Sequence, residues 1–190
     1  VYKRQLINSA VQDMIVAHFG QAQWEDIHAH SQVPDDSFLT MRSYDDAITY
    51  QLVTSASEVL QAPVDTCLEL FGVFWVEEIA TKSFAPLMET TGTHTIDFLS
   101  NLNALHDRIS STFTNYVPPE FQVEVIDEVA GLFRVHYFSK RDGLTAFVVG
   151  LLKGLATHFD DKLEIIGLDI HPQDPGTHSV FELRVTRSNP

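Results

Sequence analysis

At 190 residues, with 44% hydrophobic side chains, the chain is long enough to bury about 70% of its unfolded surface in one domain, taken as residues 1–190. Its formal charge of −14, from 26 acidic against 12 basic residues, excludes the electrostatics of a nucleic-acid or anionic-membrane binder. No apolar run approaches the roughly 20 residues that a bilayer span needs, and no secretory segment is recognisable. The single cysteine, Cys67, has no disulfide partner within the chain, so the cytoplasm is the expected location.

Val1 to Gln5 is not counted in the expected fold, as a segment that need not be native. A first helix is predicted from about Leu6, carrying Leu6, Ile7, Ala10, Val11, Met14 and His18 on one side, with Gly20 as its stop. A short helix around Trp24 and Ile27 should end before Pro34-Asp35-Asp36. Asp45 or Asp46 can cap the next helix, whose apolar stripe is Ile48, Leu52, Val53, Ala56, Val59 and Leu60. Pro63 suits the first position of a further helix running to Gly72. Beyond it, Val73 to Ile79 is apolar with large aromatics, while Glu77 and Glu78 turn to solvent. Pro86, Gly92 and Thr93 then punctuate the approach to a long amphipathic segment.

That segment carries Leu99, Leu102, His106, Ile109 and Phe113 on one helical stripe. A histidine therefore stands where the pattern asks for a hydrophobe, and a core-facing imidazole needs an acceptor, a carboxylate or a metal. After Pro118-Pro119 the character changes. Phe121–Ile126, Leu132–Ser139, Leu163–His171 and Ser179–Val185 read as strands, with a helix over Leu144–Phe159 between the second and third. On that helix Gly150 and Gly154 leave a flat strip where another element can approach the backbone. Helices first and sheet last predict an α+β fold: a helical N-terminal part followed by a four-stranded antiparallel sheet with helices. On the second strand, Tyr137, Ser139 and Arg141 fall on one face and offer hydroxyl donors beside a permanent positive charge. Such a row can hold carboxylates, with Arg141 able to grip one bidentately; an edge strand with a polar outer face would show the same pattern.

Taken together, Tyr137-x-Ser139-x-Arg141 and the helical Leu105-His106-Asp107 resemble the haem–nitric oxide/oxygen binding (H-NOX) domain. That domain is the sensor of soluble guanylate cyclase and of bacterial stand-alone gas sensors. The resemblance extends over Ala10–Ile15, Thr49–Val53 with Ser57–Leu60, Phe71-Gly72-x-x-Trp75-Val76, Phe98-Leu99-x-Asn101-Leu102, Pro118-Pro119-x-Phe121 and Gly150–Gly154, in the same order. It implies a fold enclosing haem b (iron protoporphyrin IX), with His106 as the proximal ligand of the iron. Tyr137, Ser139 and Arg141 would hold the propionates, and Pro119 would press on the porphyrin. Val11, Trp75, Phe147 (or Ala146, one place earlier) and Leu151 would line the gas side. Members that hold oxygen carry a tyrosine at the position matched by Phe147, which has no donor. The expectation is thus a sensor of nitric oxide and carbon monoxide that excludes oxygen or binds it weakly. Release of His106 and a helix shift would carry the signal.

No catalytic output segment is expected in the chain. The resemblance points to a separate effector, either a histidine kinase or a diguanylate cyclase or phosphodiesterase, or else to a piece of a longer cyclase or chemoreceptor. Competing readings are an oxygen sensor using the Trp75 indole N–H as donor, a haem redox enzyme, and a haem-free binding module in which His106 is only a core residue. The remaining histidines show no zinc-protease spacing.

Overall fold

The computed structural model describes residues 2–34, 46–112 and 117–187; Asp35, Asp36, Asp45 and Phe113 lie outside them. Helices α1 (Tyr2–Phe19), α2 (Gln21–Ser31), α3 (Asp46–Leu60) and α4 (Val64–Phe74) come first. A π-helical segment, Trp75–Ala80, then leads through the short α5 (Thr81–Ser83) and α6 (Ala85–Thr91) into the long α7 (Thr95–Thr112). Strands β1 (Glu120–Asp127) and β2 (Leu132–Ser139), helix α8 (Thr145–His158), and strands β3 (Asp161–Gln173) and β4 (Gly176–Arg187) complete the chain. The strands form one antiparallel sheet in the order β1-β2-β4-β3. This is the α+β architecture expected from the sequence.

Two main hydrophobic cores organise these elements. Val11, Ile15, Ile27, Leu52 and Phe71 knit the first four helices together. Leu99 of α7, Leu152 of α8 and the inward residues Val135, Phe181 and Leu183 of the sheet form the second core, as the period of two along a strand requires. Helices α4 and α8 join the two. They cross at glycines so closely that a Cβ on Gly150 would lie 2.0 Å from the Glu69 carbonyl oxygen, and one on Gly72 would lie 2.2 Å from that of Phe147. The flat strip expected on α8 is this crossing.

Several local expectations are revised. Helix α1 begins at Tyr2, not near Leu6, so residues 2–5 are continuous with it. His18 is exposed and turns its ring edge-on to Phe74, 6.0 Å away, because the core ends one turn earlier at Met14 and Ile15. Pro63 is the N-cap of α4 and not its first helical residue, and the helix runs past Gly72 to Phe74 before widening into the π segment. Helix α6, starting with Pro86 in its first turn, replaces the irregular approach to α7. Strand β2 ends at Ser139, so Arg141 stands in the following turn, where Gly143 takes φ of 73°. No single described helix is long and apolar enough to cross a membrane.

Candidate functional site

A cavity of about 320 Å³ lies between the two cores, within the usual range for small-molecule pockets. Its walls come from α7 (Leu99, Leu102, His106), from α4 and the π segment (Phe71, Trp75, Val76), and from α8 (Phe147, Val148, Leu151). These side chains are overwhelmingly apolar, so the few polar ones define its chemistry.

His106 is half-buried on α7, and its Nδ1 lies 3.2 Å from the carbonyl oxygen of Pro119. A carbonyl only accepts, so Nδ1 carries a proton, and in the neutral ring Nε2 then carries the lone pair. That tautomer is the form in which an imidazole binds a metal, with its other nitrogen oriented by a backbone acceptor. The carbonyl is held in place by Asn103, one turn earlier on α7. The Asn103 side-chain amide donates to the Phe121 carbonyl at 2.7 Å and accepts from the Phe121 N–H at 3.0 Å. This two-point clamp fixes the start of β1, and with it Pro119, against the helix that presents His106. The Phe121 ring packs 6.3 Å from the His106 ring and 5.3 Å from Tyr137, linking the imidazole to the sheet.

Tyr137, Ser139 and Arg141 gather at a polar corner of the cavity. Burial pushes the Tyr137 phenol above the usual tyrosine value, while its hydrogen bond with Ser139 and the charge of Arg141 pull the other way. The Arg141 backbone N–H donates to the Ser139 hydroxyl at 3.0 Å, which stiffens the turn beyond β2. Arg141 thus reaches the cavity from a turn and not from the strand itself. Pro119 also lines the cavity.

On another wall, Phe147 packs 5.2 Å from Phe71, and Phe71 meets Trp75 edge-on at 6.2 Å. Both Phe147 and its neighbour Ala146 pack against Val53, Cys67 and Leu68, but of the two Phe147 is the one that lines the cavity. Val11 is placed elsewhere. It is 1% exposed in the helical core and is not among the cavity-lining residues, because that stretch of α1 faces α2 and α3. Cys67 is a buried free thiol whose pKa burial raises. Among the described residues no group of three or more histidine, cysteine or acidic side chains converges as a metal site.

Sequence reading missed Asn103, Thr49 and Tyr50 as site residues. An asparagine in the middle of a helix, where it is a poor helix former, was the available sign for the first. Thr49 and Tyr50 open α3 and line the cavity, but their partners lie far along the chain.

An apolar cavity between a helical core and a sheet core, with an oriented imidazole on its wall, marks a fold built to hold a buried ligand. The H-NOX protein from S. oneidensis, solved in an Fe(II)NO ligation state, superposes with a TM-score of 0.80 over 97% of this chain and 99% of that one, at 18% identity. The Fe(II) unliganded H-NOX protein from K. algicida gives 0.79 over 98% of both chains, at 20% identity. Residues 5–166 match the Haem-NO-binding family, and the chain belongs to that family. Among curated proteins it is similar to soluble guanylate cyclase gcy-31 of Caenorhabditis elegans, 26% identical over 94% of this chain and 25% of the relative. Soluble guanylate cyclase gcy-37 of the same organism is 29% identical over 84% of this chain and 23% of the relative. The chain therefore spans about a quarter of the length of these relatives.

Proposed function

We propose that the chain is a haem-based gas sensor. On this reading it holds haem b through His106, responds to nitric oxide and carbon monoxide, and passes the signal to an effector. The observation that carries the reading is the His106 imidazole, oriented as a nitrogen donor on the wall of an apolar cavity whose polar corner gathers Tyr137, Ser139 and Arg141.

The residues present fit the group. The imidazole suits an axial position, the apolar walls suit a porphyrin face, and the hydroxyls and guanidinium suit two carboxylates. Haem, when bound, would supply an iron that takes the His106 nitrogen and binds a diatomic gas. Arg141, Tyr137 and Ser139 would grip the propionates, and Pro119 would press against the ring. Phe147 and Leu151 would keep the gas side free of donors, which costs a polarised oxygen ligand a hydrogen bond of about 1–3 kcal/mol. Trp75, whose side chain also lines the cavity, carries the second reading, in which its indole N–H assists oxygen.

On the sensing side, His106 would let go of the iron and α7 would shift with it. The Asn103 clamp would carry that shift into β1. A coupling of about 1–3 kcal/mol suffices for a useful switch. The effector is a histidine kinase, or a diguanylate cyclase or phosphodiesterase, or a guanylate cyclase as in the matched relatives, acting in the cytoplasm. The test is to add nitric oxide to ferrous protein and follow the Soret band. We expect the position of five-coordination, with no oxygen spectrum under air. A six-coordinate band would overturn release of His106, and a stable oxygen spectrum would favour the Trp75 reading.

A further inference from the structure

Tyr50, an exposed residue of α3, lines the cavity together with Arg141 of the turn after β2, and a long-range hydrogen bond joins these two segments. The Tyr50 hydroxyl on α3 donates to the Asp142 backbone carbonyl at 2.7 Å, across 92 residues of sequence. Both ends of this bond are anchored. One residue before Tyr50, the Thr49 hydroxyl donates at 2.8 Å to the Asn8 side-chain oxygen of α1, and Asn8 is 1% exposed. On the other side, the Asp142 carboxylate accepts from the Thr177 hydroxyl of β4 at 2.9 Å. A continuous track of polar contacts thus runs from α1 through α3 and the turn bearing Arg141 to the sheet, crossing from one core to the other. Tyr50 and Asp142 are exposed, whereas Asn8 and Thr177 are buried, so the Tyr50 bond is the link in the track that water can most readily replace.

We infer that Tyr50 is the latch of a cofactor gate: α3 and the turn after β2 part at this bond to let a large flat ligand in or out. Tyr50 acts as a positioning residue, through the turn that carries Arg141. The inference rests on the haem reading of the cavity. A latch of this kind is closed in both end states and open only during passage. Its loss therefore lowers the barrier in both directions and leaves the end states alone.

The test is Tyr50→Phe, which keeps the ring on the cavity wall and removes only the hydroxyl. Entry is measured by mixing haem-free protein with carbon-monoxide-bound haem, and exit by transfer of haem to an excess of haem-free globin. We expect both rates to rise about three- to tenfold, with the ratio unchanged within about twofold. Thr177→Val, which frees the turn from its other side, should move both rates the same way by less. A rise in the exit rate alone would make Tyr50 a haem contact and overturn the gate, as would two unchanged rates. If the wild-type protein takes up no haem, the proposed function fails, and the latch is then read separately by amide hydrogen exchange. Faster exchange over residues 46–52 and 140–143 in Tyr50→Phe supports it, and unchanged exchange overturns it.

Discussion

His106 owes its chemistry to a neighbour the helical pattern does not reveal. Its position on the apolar stripe of α7 is legible from spacing, but its tautomer is set by the Pro119 carbonyl, which docks only once β1 has been fixed. Asn103 does the fixing with both halves of its amide, and neither bond has an intrahelical equivalent. Asn103→Ala leaves the N–H and C=O of Phe121 without these partners in a partly buried place. We expect a loss of about 1–2 kcal/mol in chemical denaturation, with β1 amides exchanging faster than those of β4. An unchanged midpoint would mean that other contacts suffice to dock β1.

Among the elements, the strands and α8 were legible from β-branched and aromatic alternation and from helical periodicity. Other elements were not. Helix α6 is a single short run behind Pro86, too brief for periodicity to emerge. The widening at Trp75–Ala80 is a π segment, invisible to a 3.6-residue template, and it brings Trp75, Val76 and Ala80 to the cavity wall. The glycines of α8 were recognisable as a flat strip, but their partner on α4 was not. That each helix faces the other's glycine emerges only from the fold. Gly150→Ala would place a methyl group against the Glu69 carbonyl and Gly72, both backbone and unable to yield. Forcing these helices apart should cost about 1–3 kcal/mol, seen as a lower thermal midpoint, and should disturb the wall formed by Phe71 and Phe147. A wild-type midpoint would show that the crossing has slack.

At the scale of the whole molecule, the candidate site lies at a seam. Helical lobe and sheet lobe each have a core of their own, and the cavity takes its walls from both. A local pattern identifies which side chains are apolar, but not which core they join. Val11 shows this: its neighbours on α1 carry the family motif, yet its side chain packs into the helical core and not into the cavity. The long-range polar track through Tyr50 was illegible for the same reason, since its partners are 92 and 35 residues apart. By contrast, the Tyr137-x-Ser139-x-Arg141 spacing survives the end of β2, because the turn beyond it keeps Arg141 at the cavity.

Gas sensing by this cavity requires above all that the imidazole of His106 hold an iron there. The direct measurement is haem retention by His106→Gly, purified with and without free imidazole in the medium and read at the Soret band. We predict that the variant emerges colourless without imidazole and retains haem with it, while wild-type protein is coloured throughout. A variant that keeps haem equally well in the absence of imidazole would contradict the assignment.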